Sequence, residues 1–408
     1  MKILFLTNFY PPASRGGYEQ WCQEVADGLT KRGHDILVLA SSHGKSTVQD
    51  DPIWVRRELY LEMEFASLQN ALHFFTARKK RENENLVLLR KTIADYKPDI
   101  VLIWGMWNLS RSLSALAEAM MPGRVAYYVG DYWPTLPDQF ENYWNASPRN
   151  FITGLPKLLL KPIAQQILAR EKRPVLKLEH VMFPSTFMME EFKRKGISPR
   201  NVKIVHGGID TRPYLDGLVT HHKHLSLLYI GRLTHEKGVH TTIESLGQLV
   251  HEHNIKDLTL TIVGDGESDY MNHLHQLVED KRLVSFVNFL PVQPKDALPV
   301  LYRAADVFLF TSIWPEPFGR VIVEAMASGV AVIGTSVGGA SEILVDGDNA
   351  LVFSPDNPSS LTQQVMRLIE TPALREQLIA SARETAVNKF DIQRMTAEIE
   401  SYLQTMIK

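Results

Sequence analysis

The chain has 408 residues, more than one ordinary hydrophobic core can organise, so two domains are predicted. Its 44 basic and 46 acidic residues give a formal charge of −2, which excludes the global basic field of a nucleic-acid-binding protein. Cys22 is the one cysteine, which excludes an intramolecular disulfide and argues against thiolate metal ligation. No apolar run has transmembrane length, and Met1-Lys2 leads straight into a short strand-like run, so a cytoplasmic protein without a secretory leader is expected.

Short runs rich in β-branched and aromatic residues alternate with amphipathic segments along the chain. In the first half, strands are predicted at 2–7, 35–40, 99–104, 124–129, 180–183 and 202–205. In the second half, they are predicted at 225–230, 258–263, 284–290, 306–310, 331–335 and 350–353. This rhythm is typical of repeated βα units, so the sequence predicts an α/β protein with parallel sheets in both halves.

Repeated apolar positions predict the first and the last helix. Trp21, Val25 and Leu29 recur every four residues and a glycine supplies the stop, which predicts a helix at 17–32. Residues 390–408 have the same spacing and are predicted to form a C-terminal helix that packs back on the first domain.

A polar, histidine-rich stretch separates the two halves and is predicted to be the domain linker. The predicted limits are 1–206 for the N-terminal domain, 207–223 for the linker and 224–389 for the C-terminal domain. His221 and His222 have no carboxylate or cysteine positioned beside them, so a solvated linker is favoured over a metal site. Because open α/β sheets bind ligands at the carboxyl ends of their strands, a ligand is expected in a cleft between the domains.

The segment 311–329 is the richest in chemistry. Two prolines force extended backbone before a predicted helix at 319–328, so Glu316 lies at the mouth of that helix and Glu324 lies more than one turn inside it. A helix N-terminus favours an anion, whereas carboxylates accept hydrogen bonds from hydroxyls, so a diphosphate between a sugar and a ribose would use both. The alternative, equally weighted on these residues alone, is an ordinary helix start with Glu316 as an acidic cap and Glu324 solvated.

Two further loops have residues that suit an anion. Arg232 and Lys237 flank a short loop after the predicted strand at 225–230, where two cations can bind a diphosphate; without a Gly-Lys-Ser/Thr it is not a P-loop. Gly338-Gly339 and Gly16-Gly17 each follow a strand and precede a helix, so their backbone amides can approach a ligand closely. Surface basic residues and tight turns are the alternatives for each loop taken singly.

Together these elements resemble the retaining glycosyltransferases of family 4, which have the GT-B architecture of two Rossmann-like domains facing across a cleft. Their order and spacing are similar across nearly the whole chain. The matching elements are Glu-x7-Glu (Glu316 to Glu324), Gly-Arg-x4-Lys-Gly (Gly231 to Gly238), Gly-Gly-x-x-Glu (Gly338 to Glu342) and Gly16-Gly17.

The resemblance implies an N-terminal acceptor-binding domain, a C-terminal donor-binding domain and a role for each motif. Arg232 and Lys237 would bind the diphosphate of a nucleotide sugar, with UDP favoured over GDP. Glu324 would bind the ribose, and Glu316 the sugar hydroxyls. The amides of Phe318 and Gly319 would lie close to the sugar, and those of Gly16 and Gly17 would contact the phosphate. The resemblance further implies retention of anomeric configuration, with no metal or other cofactor.

One position departs from the family pattern. Many relatives have His-Asp after the strand near 124–129, whereas this chain has Gly130-Asp131, which removes an imidazole contact to the donor sugar and indicates a different sugar. Asp131 is predicted to act in catalysis, either by orienting the acceptor hydroxyl or by contacting the donor sugar. An aspartate that caps the next turn is the alternative.

The acceptor is predicted to be a glycan, a lipid-linked sugar or a small molecule. Residues 149–177 form a basic amphipathic stretch, which predicts peripheral contact with an anionic membrane on the inner face of the cell membrane; a surface helix over the first sheet is the alternative. Four aromatic residues suit either stacking on sugar rings or core packing: Tyr132, Trp133, Tyr143 and Trp144.

The favoured function is a hexosyltransferase that builds a cell-surface polysaccharide or glycoconjugate. A nucleotide-sugar epimerase or a disaccharide-forming synthase is a second enzyme hypothesis, and a non-catalytic sugar-nucleotide-binding protein is a third. Intact Arg232, Lys237, Glu316 and Glu324 argue against the third, whereas Gly130 is the one feature in its favour. The sugar, the acceptor and the linkage stay open.

Overall fold

The computed structural model describes residues 1–14, 16–45, 51–64, 70–147, 151–216 and 224–407. Its strands are β1 (Lys2–Leu6), β2 (Asp35–Ser41), β3 (Val55–Leu59), β4 (Ile100–Ile103), β5 (Val125–Tyr128), β6 (His180–Phe183), β7 (Asn201–Ile204), β8 (Leu225–Ile230), β9 (Leu258–Val263), β10 (Val287–Leu290), β11 (Val307–Phe310), β12 (Ala331–Gly334) and β13 (Leu351–Val352). Its helices are α1 (Gly17–Lys31), α2 (Asn70–Thr76), α3 (Arg78–Tyr96), α4 (Arg111–Met120), α5 (Gln139–Asn145), α6 (Phe151–Arg170), α7 (Thr186–Arg194), α8 (Arg212–Leu215), α9 (Val239–His251), α10 (Ser268–Asp280), α11 (Leu298–Arg303), α12 (Arg320–Ser328), α13 (Pro358–Glu370), α14 (Pro372–Lys389) and α15 (Ile392–Thr405).

The chain divides into two compact units. Unit 1 comprises Met1–Pro184, Met189–Val205 and Thr396–Lys408, and unit 2 comprises Ser185–Met188 and His206–Met395. Of the predicted linker, residues 217–223 lie outside the described residues, and His221 and His222 with them. Within unit 1, α15 contacts the turn between α1 and β2, because Glu400 accepts from Arg32 at 2.9 Å and pairs with His34 at 2.7 Å.

In the described part of unit 1, seven parallel strands form one sheet in the order β3-β2-β1-β4-β5-β6-β7. The central strands are apolar without interruption, and every residue of β4 is buried, as in a sheet covered by helices on both faces. The strand order reverses between β1 and β4, which places a crevice at the carboxyl ends of these two strands.

The described part of unit 2 repeats this plan with six parallel strands in the order β10-β9-β8-β11-β12-β13. Its core is an apolar cluster in which Ile243 and Leu246 of α9 pack with Leu260 and Ile262 of β9. The order reverses between β8 and β11, so the loops after these strands border the crevice of this sheet. Two parallel sheets of Rossmann-like order confirm the predicted α/β fold class.

The sequence analysis missed β3 at the edge of the first sheet. Its residues alternate between buried and exposed, and one of the buried ones is Arg57. The Arg57 guanidinium donates to Asp51 at 2.9 Å and to the Tyr10 carbonyl at 2.7 Å. A buried arginine is tolerated because both partners satisfy it, and neither partner is evident from the sequence.

Candidate active site

Three loops of unit 2 meet at the carboxyl ends of the neighbouring strands β8, β11 and β12. The Thr311 hydroxyl donates to the Lys237 carbonyl at 2.9 Å, which joins the loops after β11 and β8. The Thr335 hydroxyl donates to the Ser312 carbonyl at 2.6 Å, which joins the loops after β12 and β11. The loops that contain the predicted donor-binding residues of unit 2 are therefore hydrogen-bonded to one another.

Glycines make this close approach of the loops possible. Gly238 has a φ of +64°, and a Cβ there would lie 2.2 Å from the Thr311 carbonyl oxygen. Gly338 has a φ of +63°, and its Cβ would lie 2.5 Å from the Glu316 carbonyl oxygen. The Gly339 amide donates to that carbonyl at 2.6 Å. The glycine pair at 338–339 therefore packs against the backbone that holds Glu316.

Lys237 and Glu316, predicted from separate motifs, form an ion pair. The Ser312 hydroxyl donates to the same Glu316 oxygen at 2.9 Å. The two charged side chains are only 19% and 13% exposed, so the pair is partly shielded from water. The first residue before α12 is Gly319, and no side chain caps that helix, so the alternative of Glu316 as an acidic cap is wrong.

Arg232 lies on the surface beside this pair. Its backbone is anchored because the Tyr229 hydroxyl donates to its carbonyl at 3.0 Å, whereas its side chain is exposed. Among the carboxylates of the described residues, none forms an ion pair with Arg232. The pKa of Glu236 lies below its usual range because of a hydrogen bond from Thr234, its own backbone amide and the charges of Arg232 and Lys237. The loop after β8 thus places two cations near each other.

Glu324 is buried inside α12 rather than solvated, so that part of the alternative is also wrong. Glu324 is 3% exposed. Its carboxylate accepts hydrogen bonds from Arg320 Nε at 3.0 Å and from the Tyr302 hydroxyl at 3.1 Å. Burial, followed by the charge of Glu324, raises the pKa of Tyr302 well above its usual value, which keeps this hydroxyl a donor. The ribose role of Glu324 stays a prediction.

Phe318 and Gly319 contribute backbone rather than side-chain groups to the candidate site. The Phe318 ring is buried and packs against Phe390 with the ring centroids 5.5 Å apart. Gly319 has a φ of +115°, which L side chains rarely adopt, and it begins the turn into α12. The predicted contact of both amides with a sugar fits this arrangement and is proposed below.

In unit 1, the predicted residues lie at the start of α1 and after β5. The Gly16 amide donates to the Glu19 carboxylate at 2.9 Å. One of the two amides predicted to contact a phosphate is therefore already hydrogen-bonded within the protein. Asp131 accepts from the Trp133 amide at 3.2 Å, so the capping interaction left open by the sequence is present. Burial raises the pKa of Asp131 to about 7, and the charge of Glu19 adds to this rise, against the Trp133 hydrogen bond.

Comparisons with known proteins agree with this geometry. The Glycosyltransferase Family 4 model matches residues 15–212, and the Glycosyl transferases group 1 model matches residues 217–385. Uncharacterized glycosyltransferase MJ1607 of Methanocaldococcus jannaschii is 34% identical over 425 residues, which cover 98% of this chain and 96% of that protein. The chain belongs to the group 1 and family 4 glycosyltransferases.

Other similar proteins match part or all of this glycosyltransferase. Spore coat protein SA of Bacillus subtilis is 34% identical over 183 residues, which cover 43% of this chain and 47% of that protein. A glycogen synthase of Mycobacterium tuberculosis is 25% identical over 417 residues, 99% of this chain and 94% of that protein. The crystal structure of Anabaena Alr3699/HepE with UDP and glucose has a TM-score of 0.71 at 23% identity and covers 99% of this chain and 100% of that chain. The last likeness confirms the GT-B fold class.

Tyr18 is a site residue that the sequence analysis missed, and it explains the glycine at the family's histidine position. A Cβ on Gly130 would lie 2.6 Å from Tyr18 Cε2, so the tyrosine ring fills the space beside residue 130. The Tyr18 hydroxyl donates to the Tyr128 carbonyl, and its ring stacks on Trp104 at 5.8 Å. The signal in the sequence was an aromatic residue directly after Gly16-Gly17 together with a glycine after β5.

A second missed element is the loop after β9, which has the sequence Gly264-Asp265-Gly266. A Cβ on Gly264 would lie 1.9 Å from the Gly231 carbonyl oxygen, and one on Gly266 would lie 1.9 Å from the Leu233 carbonyl oxygen. This loop therefore packs directly against the backbone on both sides of Arg232. Two glycines directly after a predicted strand were the signal that could have found it.

The aromatic residues predicted near the acceptor divide between core and surface. Trp133 and Trp144 are buried, which bears out core packing for these two. Tyr132 and Tyr143 are half-buried, and lysines lie over their rings, Lys195 at 5.0 Å and Lys157 at 4.4 Å.

The basic amphipathic stretch contains α6. Of the stretch 149–177, residues 149–150 and the side chains of 151–154 and 156 lie outside the described part. Four exposed apolar side chains follow one stripe of α6: Leu155, Leu158, Leu159 and Ile163. Lys157, in contrast, is buried and donates to the Ala146 carbonyl at 2.9 Å. None of the described helices combines the length and apolar character that crossing a bilayer requires.

Proposed function

We propose that this glycosyltransferase transfers a hexose-type sugar from a UDP-sugar to a hydroxyl of a glycan, lipid-linked or small-molecule acceptor, with retention of anomeric configuration. The observation that carries the proposal is the Lys237–Glu316 pair at three converging strand ends, beside the exposed Arg232. A diphosphate can exchange for Glu316 as the partner of Lys237, which releases the carboxylate for sugar hydroxyls. The solved complex of Alr3699/HepE with UDP and glucose supports UDP over GDP.

In the proposed reaction, negative charge grows on the leaving diphosphate. Arg232 and Lys237 stabilise it through charge-assisted hydrogen bonds, which replace the metal that other glycosyltransferases use. Glu316 and the amides of Phe318 and Gly319 hold the sugar, and Glu324 holds the ribose. The acceptor oxygen attacks the anomeric carbon from the face that the diphosphate leaves, and its proton passes to the departing diphosphate, so no protein nucleophile takes part.

On the acceptor side, we propose that Asp131 orients the reacting hydroxyl. Its raised pKa, which burial causes, places its titration near neutral pH, where a carboxyl can accept or release a proton. The similarity to a glycogen synthase supports a polysaccharide product.

Peripheral contact with an anionic membrane is the proposed way to reach a lipid-linked acceptor. The support is the exposed stripe of α6, where Leu159 is 70% exposed, beside the basic residues of the same stretch. Co-sedimentation with vesicles that contain phosphatidylserine should fall for Leu159→Glu and not for Val284→Glu, which alters an equally exposed apolar residue of unit 2. Equal binding by both variants, or none by the wild type, contradicts the proposal.

A thermal-shift panel of nucleotides and nucleotide sugars tests the donor site. A ligand at a hundred times its Kd stabilises the folded protein by about 2.7 kcal/mol, so UDP and at least one UDP-sugar should raise the Tm. Lys237→Ala should reduce the shift at the same ligand concentration, whereas Lys256→Ala, an exposed lysine elsewhere in unit 2, should keep it. If no member of the panel raises the Tm, the donor site is assigned wrongly.

A further inference from the structure

Unit 1 has a cavity of about 470 Å³ that is partly open to solvent and that none of the predicted donor residues lines. Its size lies within the range of roughly 300–1,000 Å³ of small-molecule sites. It is bounded by the segments after β3, β4 and β5 and by α3, α5 and α6. Since the carboxyl ends of parallel strands are where open α/β sheets bind ligands, the cavity lies where a ligand is expected.

The charges that line the cavity are almost balanced, with six basic side chains against five acidic ones. Most of them are already paired: Arg78 donates to Glu171 at 2.8 Å, and Lys79 lies 2.9 Å from Glu82. A phosphate would find little surplus positive charge here. A neutral ligand with many hydroxyls can instead use the donors and the acceptors together.

Tyr60 supplies an aromatic surface at the cavity. Its backbone is fixed on both sides by the buried Asn85, which accepts from the Tyr60 amide at 2.8 Å and donates to the Tyr60 carbonyl at 2.8 Å. Tyr60 nevertheless remains 41% exposed, and the Arg81 guanidinium lies over its ring, 5.4 Å from the ring centroid. The ring face away from Arg81 suits the C–H face of a sugar ring.

Polar groups deeper in the cavity complete the lining. The hydroxyls of Ser110 and Ser112 both donate to Glu82 at 2.7 Å. The Glu62 carboxyl accepts from the Gln139 amide at 3.3 Å, and burial, followed by the charge of Asp138, raises its pKa to about 7. Near neutral pH this carboxyl can therefore donate a hydrogen bond to a ligand hydroxyl or accept one from it.

We propose that this cavity binds a neutral saccharide unit of the acceptor glycan, which rests on the proposed function. Asp131 does not line the cavity, so the saccharide held there is not the one whose hydroxyl Asp131 orients. Binding energy from such a remote unit can be used to position the reacting end of the acceptor.

Isothermal titration without any nucleotide tests the proposal with maltotriose, cellotriose, triacetylchitotriose and inorganic phosphate. At least one trisaccharide should bind the wild type and the Tyr60→Phe variant, and Tyr60→Ala should weaken it about tenfold because the aromatic face is lost. Ala169→Trp, on the cavity face of α6, should abolish binding, whereas Gln166→Trp, on the same helix but off the cavity, should not. Far-UV circular dichroism and the Tm confirm that each variant folds.

Several results would overturn this proposal. They are the absence of binding by every trisaccharide, equal binding by Ala169→Trp and Gln166→Trp, and binding of phosphate in place of the saccharides. The stabilisation of the wild type by UDP is the separate readout for the proposed function. Trisaccharide binding without any UDP shift contradicts the proposed function alone, and a UDP shift without trisaccharide binding contradicts the cavity alone.

Discussion

Lys237 and Glu316 form a partly shielded ion pair. Replacing either residue should affect donor binding in a different way. Lys237→Ala removes a charge-assisted hydrogen bond to the diphosphate, which contributes roughly 1.5–3 kcal/mol, so UDP and UDP-sugar should both bind about ten- to a hundredfold more weakly. Glu316→Gln leaves Lys237 without its carboxylate, so UDP affinity should be equal or higher while turnover of the UDP-sugar falls. Titration calorimetry and steady-state kinetics measure the two effects. Equal loss of UDP affinity in both variants would contradict the separate roles.

The ring of Tyr18 occupies the space that a side chain at position 130 would need. Gly130→His should therefore destabilise the protein by about 1–3 kcal/mol through overpacking. Removing the ring should make room, so Tyr18→Ala combined with Gly130→His should be more stable than the sum of the single changes predicts. A double-mutant cycle in urea measures this coupling. Additive effects would show that the two positions do not compete for space.

Asp131 gives the protein a pH dependence whose sign follows from its raised pKa. Because its pKa rises from 3.8 to about 7 on folding, the native state holds this proton over a pH range in which the unfolded chain has released it. The free energy of unfolding should therefore fall as pH rises from about 4 to 7, by at most roughly 1.4 kcal/mol per pH unit from this group. Asp131→Asn should flatten this slope, and Asp95→Asn, an exposed carboxylate of α3, should not. Urea unfolding at several pH values measures this slope. An unchanged slope in Asp131→Asn contradicts the raised pKa of Asp131.

At the scale of elements, the donor loops depend on glycines that approach neighbouring backbone. Gly238→Ala combines a positive φ with a Cβ 2.2 Å from the Thr311 carbonyl oxygen, whereas Gly33→Ala has a positive φ and open space around it. The Gly33 variant should lose only the strain of about 1–2 kcal/mol, and the Gly238 variant should lose more and also lose UDP binding. Chemical unfolding and calorimetry compare them. Similar stabilities with UDP binding intact would mean that the loop adapts.

How much the sequence predicted also differs from element to element. Strands β8 and β9 were predicted with the observed limits because each is a short run of apolar and β-branched residues, interrupted only by serine or threonine. The edge strand β3 was missed because three of its five residues are charged, and burial of Arg57 depends on Asp51 and Tyr10, whose approach only the fold creates. The limits of β10 shifted from 284–290 to 287–290, since the residues before it form a turn.

The residues of the candidate site that belong to a sequence motif could be predicted. The residues that pack against them from other elements could not. The proximity of Lys237 and Glu316 was expected because the family resemblance assigns both residues to one nucleotide-sugar site. The burial of Glu324 with Tyr302, and the ring of Tyr18 beside Gly130, involve residues that no motif marks. Both depend on side chains that approach from other elements, which periodicity and spacing do not report.

At the scale of the whole molecule, the described parts of the two units repeat one strand order, and each has its own point where that order reverses. The repeated rhythm of the sequence sufficed to predict this plan, because each βα unit carries its own apolar pattern and stop signals. The residues proposed for the donor belong to unit 2, apart from Gly16 and Gly17, and those proposed for the acceptor belong to unit 1. A balanced overall charge fits local rather than global recognition of anions.

The most direct test of the donor assignment is ¹H NMR of UDP-glucose, UDP-galactose and UDP-N-acetylglucosamine incubated with the protein. The wild type should release UDP from at least one donor, the freed sugar should appear first as the α-anomer, and Lys237→Ala should release UDP at least about tenfold more slowly. If the wild type releases no UDP from any of the three donors, or if the β-anomer appears first, the assignment of a retaining UDP-sugar transferase is contradicted.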